Sequence, residues 1–240
     1  MDVTPLQVII ILVSGIAAGF INTLAGGGSF LTLAALNFAG LPILVANGTN
    51  RIAVEAGAIV STVGFHSKGV KDLRMAAHFA VPGLAGSLLG AYLASMISAE
   101  VFQRVIAVAM LFMLATLLFD SKRWIKDKQV AWTSRRRFWI YFTFFAIGIY
   151  GGAIQAGVGF MLTAALVMLA GQNLVRTSYF KVLIVGVYTI FAVVTFALQG
   201  QVNWVLGIVL SVGNGLGAWI TSRLAVTKGE RLIRDLTEQL

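Results

Sequence analysis

Two stretches of this chain are one segment written twice. Residues 25–40 read AGGGSFLTLAALNFAG and residues 156–171 read AGVGFMLTAALVMLAG; at a constant offset of 131, eight of the sixteen positions are identical. Gly15, Gly19 and Asn22 are matched by Gly148, Gly152 and Gln155 once two residues are skipped. A glycine-interrupted apolar segment in corresponding places of two halves is the pattern of a membrane transporter whose site lies between repeats. Backbone at membrane depth must satisfy its own hydrogen bonds, so the pattern predicts an all-α integral membrane protein.

Composition narrows the class further. Of 240 residues, 58% are hydrophobic and 11% charged, which excludes an ordinary soluble domain. The first apolar run, 6–24, is preceded by one charge, Asp2, and lacks the basic leader of a signal peptide. With no cysteine, disulfides and thiol chemistry are excluded. His66 and His78 form no metal-ligand spacing. The sequence therefore calls for no metal, no cofactor and no enzymatic activity.

A net charge of +9 raises nucleic acid as a partner, but the positions of the cations argue against it. Lys68, Lys71 and Arg74 share one loop; Lys122, Arg123, Lys126, Lys128, Arg135, Arg136 and Arg137 share the central one; Arg223, Lys228, Arg231 and Arg234 follow the last apolar run. This is the positive-inside pattern. It predicts a multi-pass protein of a bacterial inner membrane, with the lipid bilayer as partner, these three segments cytoplasmic and the N-terminus outside.

The apolar runs predict helices over 6–24, 29–39, 46–65, 75–97, 101–119, 138–153, 160–170, 175–198 and 204–223. Those at 29–39 and 160–170 are too short to cross a hydrocarbon core about 30 Å thick. They read as half-helices returning to the side they came from. Seven or eight membrane helices and two half-helices result. Residues 66–74 are basic and their counterpart, 199–203, is uncharged, so the two repeats are inverted. The division is a first repeat at 1–120, a basic loop at 121–137, a second repeat at 138–223, and a terminal segment at 224–240. That last segment is either a cytoplasmic tail or the beginning of a final helix.

The breaks are the candidate site. Gly26, Gly27 and Gly28, with Gly157 and Gly159, allow the chain to reverse. The half-helices starting near Ser29 and Phe160 then aim free N–H groups and a partial positive charge at a cavity, which suits an anion. Arg51 and Lys181 lie about two turns inside the helices that follow, at a depth where a charge must face a cavity or a partner. Position 181 is the counterpart of Asn50, beside Arg51. Asn47, Asn50, Arg51 and Glu55 form a polar stripe on one helix face, and Ser178 and Lys181 repeat its beginning. Asn22 and Gln155 precede the two breaks. Glu55 is a candidate proton carrier or a charge partner for Arg51. The plainer alternatives are close helix packing for the glycines, and an Arg51–Glu55 pair with a snorkelling Lys181.

The run GFINTLAGGGSFLTLAALNFAGLPILVANGTN at 19–50, with its weaker copy GAIQAGVGFMLTAALVMLAG at 152–171, resembles the sulfite exporter TauE/SafE family of membrane permeases. The resemblance extends over essentially the whole chain. It implies transport of small sulfur-containing anions such as sulfite or sulfoacetate across a bacterial inner membrane. The expectation is an alternating-access permease in which Arg51 and Lys181 bind the anion. Asn22, Ser29, Asn47, Asn50, Gln155 and Ser178 would orient it, and N–H groups near Gly26–Gly28, Gly157 and Gly159 would close the cage. A passive anion channel and a non-transporting membrane sensor or scaffold are the other classes left open, as is a homodimer.

Overall fold

A computed structural model describes residues 4–118 and 133–227. The basic cluster Lys122–Lys128 and the terminal segment beyond 227 lie outside the described residues. Within them the chain is all-helical: α1 (Pro5–Leu24), α2 (Ser29–Phe38), α3 (Ile43–Ser67), α4 (Leu73–Met96), α5 (Ala99–Leu118), α6 (Ser134–Ala153), α7 (Val158–Ala164), α8 (Leu174–Leu198) and α9 (Trp204–Thr227). A π-helical stretch, Ala165–Leu169, continues α7. Seven of these helices have 20 to 25 residues. Of them, α1, α4, α8 and α9 are long and apolar enough to cross a membrane. Large apolar side chains such as Ile9, Val13, Leu93, Val108, Val194 and Val212 face outward, which suits a surface bathed in lipid rather than water.

Local sequence sets the ends. Thr4 caps α1 in a capping box with Gln7, and Pro5 occupies its first turn, where a missing N–H costs nothing. Asp72, Thr133 and Asn173 cap α4, α6 and α8 through their side chains. The broken helices end differently. Gly26 has φ +101° and Gly157 φ +80°, and Gln155, a non-glycine, has φ +66°.

The first helix of each repeat packs along the fourth helix of the other, giving two extensive seams, α1 with α9 and α6 with α4. They are built alike. Gly15 and Gly19 lie on the carbonyls of Leu210 and Asn214, while Gly213 and Gly217 lie on those of Leu12 and Ile16. On the second seam Gly148 and Gly152 lie on the carbonyls of Gly83 and Ser87, while Gly86 and Gly90 lie on those of Phe145 and Ile149. A Cβ at any of these eight positions would run into backbone. Close approach of this kind is how membrane helices gain contact where no hydrophobic effect drives them together. The correspondence pairs Asn214 of α9 with Ser87 of α4.

Contacts between loops sort the helix ends onto two faces. Asp72 pairs with Arg176, Arg136 Nε donates to the Leu169 carbonyl at 3.0 Å, and a His66 ring nitrogen lies 2.6 Å from the Tyr179 hydroxyl. On the opposite face, Gln201 donates to the Ser95 carbonyl at 3.2 Å, the Asn203 N–H donates to Thr49 at 2.9 Å, and Gln7 reaches the Ala39 carbonyl at 3.5 Å. Thus α2 returns to the face where α1 begins, and α7 with its π stretch returns to the face where α6 begins. The two repeats enter from opposite faces. The described basic residues at 68–74 and 135–137 gather on the Asp72–Arg176 face.

Candidate functional site

The two breaks meet inside the bundle. Gly26 and Gly159 touch backbone to backbone, so closely that a Cβ on either would overlap the other. Beside this contact is a cavity between the repeats. Its volume is about 40 Å³, against the roughly 10–15 Å³ that one water requires. The space suits a few waters or one small ion.

Each repeat sends a cation to the broken helix of the other. Arg51, fully buried on α3, donates to the carbonyls of Gly151 (2.5 Å) and Gly152 (2.8 Å) and to Gln155 Oε1 (2.8 Å). Those carbonyls belong to the last turn of α6. Lys181 of α8, 1% exposed, donates from Nζ to the carbonyl of Leu24, the last residue of α1, at 2.8 Å. A helix C-terminus carries unpaired carbonyls and a partial negative charge. Both cations therefore neutralise a helix end that the break leaves inside the bundle. An ammonium has three N–H donors, and among the described residues Lys181 has this one hydrogen-bond partner.

The cavity wall contains Asn22, Gly26, Ser29, Gln155, Gly159 and Lys181 from the sequence-derived set. Asn22 Oδ1 accepts the Gly28 N–H at 2.8 Å, so that N–H at the start of α2 is engaged inside the protein. Gln155 Oε1 accepts from Arg51 and also from the Tyr188 hydroxyl at 3.1 Å, bonds that hold Gln155 in its left-handed backbone conformation.

The other predicted residues lie off the wall. Gly27 accepts from the Phe30 N–H at 3.2 Å. Gly28 caps α2 against the Ala18 backbone, and Gly157 caps α7. Asn47 Nδ2 donates to the Ala153 carbonyl at 3.0 Å, and Asn50 Oδ1 accepts from Thr32 at 2.6 Å. Ser178 is buried one turn before Lys181. Glu55 is not paired with Arg51: among the described residues the ion pair is Arg176–Asp72. Its Oε2 is buried with no hydrogen-bond partner. No group of three or more metal-ligating side chains occurs among the described residues.

Three polar wall residues escaped sequence reasoning: Thr23, Ser61 and Asn214. Thr23 and Ser61 hydroxyls lie 2.8 Å apart and satisfy each other. Asn214 is 1% exposed. Its signal is a lone amide amid apolar residues and glycines of α9, far in the sequence from either glycine break and from either buried cation.

Comparisons with known proteins agree with this architecture. A family model described as sulfite exporter TauE/SafE matches residues 11–237. The chain is similar to the probable membrane transporter protein YfcA of Escherichia coli K12, with 31% identity covering 98% of this chain and 86% of the relative. A probable membrane transporter protein of Haemophilus influenzae is 28% identical over 98% and 92% of the two chains. Another from a Sinorhizobium species, ORF9, is 31% identical over 94% and 86%. No solved structure matches. With the family model spanning nearly the whole chain, and relatives that are themselves named as probable membrane transporters, the protein belongs to the sulfite exporter TauE/SafE family of membrane transporters.

Proposed function

We propose that the protein is a permease for a small anion, a sulfur-containing oxyanion or organosulfonate such as sulfite or sulfoacetate, that works by alternating access. The observation that carries this reading is the cavity wall: it holds Lys181, several amide and hydroxyl groups, and no carboxylate. A lysine without a counter-charge at membrane depth favours an anion beside it. The family name supplies the sulfur class. Lys181 binds the charged head, and Asn22, Ser29 and Gln155 orient it. Arg51, Asn47, Asn50 and Ser178 support the wall from behind. The repeats at 1–120 and 138–223 rock about the Gly26–Gly159 contact, as inverted repeats do in other transporters. The basic face lies in the cytoplasm.

Proteoliposomes loaded with sulfite or sulfoacetate test the reading. Saturable counterflow that Lys181→Met abolishes is the expected result. Anion current without saturable exchange would establish a channel instead. Neither flux nor anion-dependent thermal stabilisation, with each sulfur anion and its carboxylate analogue, would leave a sensor or scaffold.

A further inference from the structure

Asn214 sits halfway along α9, buried between three glycines. Gly15 and Gly19 of α1 press on its turn of backbone, and Gly57 of α3 faces its side chain. A Cβ at Gly57 would collide with Asn214 Oδ1, so the oxygen lies along the direction of a Gly57 Cα–H bond. A C–H group is an acceptable neighbour for a carbonyl oxygen and a poor one for an N–H donor. That fixes the amide: oxygen towards Gly57, nitrogen away from it. Nδ2 is buried and has no hydrogen-bond partner among the described residues, and the residue belongs to the same cavity wall as Lys181.

An unpaired buried donor carries the full cost of its lost hydration. A leucine of nearly the same shape would avoid that cost. The glycines instead make room for an amide whose N–H groups have nothing to bind among the described residues. Resting on the permease reading above, we infer that Asn214 is an anion-binding residue that supplies a second donor on the cavity wall it shares with Lys181. It would select oxyanions that present two or more acceptor oxygens over a spherical anion of the same charge. Lys181 meets the charge; Asn214 meets a second oxygen. The equivalent position in the other repeat, Ser87, also carries a buried side-chain oxygen without a partner, so a hydroxyl is compatible with this seam.

The test is a competition between sulfite and chloride for the full-length protein in lipid nanodiscs. Asn214→Leu keeps the shape and removes the donor; Asn214→Ser keeps a donor. Leucine should weaken sulfite binding by about tenfold or more, the range of one lost hydrogen bond to a charged group. It should leave chloride binding unchanged and should not lower the thermal stability of the empty protein. Serine should retain most of the preference for sulfite. If leucine prevents insertion, Asn214→Asp carries the test: the donor is lost, a negative charge is added, and sulfite binding should vanish. An unchanged sulfite-to-chloride ratio in Asn214→Leu, or sulfite binding retained in Asn214→Asp, overturns the assignment of Asn214. The permease reading survives that result provided wild-type flux still depends on Lys181. Wild-type protein that neither binds nor moves sulfite or any sulfonate overturns both.

Discussion

Arg51 and Lys181 occupy matching corners of the two repeats and do matching things, yet one corner is closed and the other open. The two terminal nitrogens of Arg51 donate to two carbonyls and the Gln155 side chain, Nε is buried without a partner among the described residues, and the guanidinium carbon lies 5.3 Å from the centre of the Phe196 ring. Lys181 makes one bond, to the Leu24 carbonyl, and borders the cavity. A planar fork suits several fixed acceptors, whereas an ammonium on a flexible stem can turn between partners. The difference teaches that symmetry of position does not require symmetry of role. One cation fastens the repeats together; the other is in contact with the space where a ligand would enter.

The largest effect that would sharpen this contrast is on stability. Arg51→Met should cost about 3–5 kcal/mol, the range for breaking a buried charged network by removing one partner. It leaves two carbonyls without their donor inside the bundle and Gln155 Oε1 with the Tyr188 hydroxyl alone. Arg51→Lys should recover only part of the loss, because an ammonium does not reproduce the fork. Reversible unfolding in mixed micelles measures both. A loss no greater than that of Lys181→Met would remove the distinction between the corners.

Next in size are the seams, where the repeats are built alike. Gly19→Ala and Gly152→Ala each push a methyl into a facing carbonyl, at Asn214 and Ser87 respectively. Both should lose about 1–3 kcal/mol, the usual cost of overpacking, and by similar amounts. Gly215→Ala is the control, since its Cβ would meet only the Val60 side chain at an ordinary 3.6 Å. Unequal losses at Gly19 and Gly152, measured by the same unfolding assay, would show that the asymmetry extends beyond the cation corners.

A smaller effect isolates the break in the second repeat. Gln155 is the non-glycine residue at φ +66°, with no counterpart in the first repeat, where Asn22 remains within α1. Gln155→Gly and Gln155→Ala lose the same hydrogen bonds, but glycine adopts a left-handed backbone freely. The glycine variant should be the more stable by about 1 kcal/mol. Equal stabilities would mean that the strain is absorbed elsewhere.

Much of this architecture was legible in the sequence. Every predicted helix is present, with ends shifted by a few residues at most sites, because long apolar runs and capping side chains are local signals. The shared glycines marked both breaks, and the search for charge at membrane depth found Arg51 and Lys181. What the sequence did not reveal is which acceptor each cation meets. That depends on α6 ending at Ala153 while α1 continues past Asn22, a shift of a few residues that neither periodicity nor composition records. Asn214 was missed for a related reason. Unlike Asn22, Asn47 and Asn50, it adjoins neither a glycine break nor a buried cation in the sequence, and its meaning comes from Gly57 on another helix.

The smallest expected change in stability belongs to Lys181, and it decides the most about the cavity. Lys181→Met removes one hydrogen bond to a helix end, worth about 1 kcal/mol, and relieves the cost of burying an ammonium at membrane depth. The two terms oppose each other, so the unfolding free energy should move by less than about 1 kcal/mol. Anion-dependent stabilisation should nevertheless be lost. In wild-type protein it should reach about 2.7 kcal/mol at a hundredfold excess of ligand over its dissociation constant. A fold left intact with its ligand response gone separates Lys181 from Arg51 by function as well as by geometry. A large loss of stability instead would make Lys181 a second fastener, and the cavity beside it would need another cation to hold an anion.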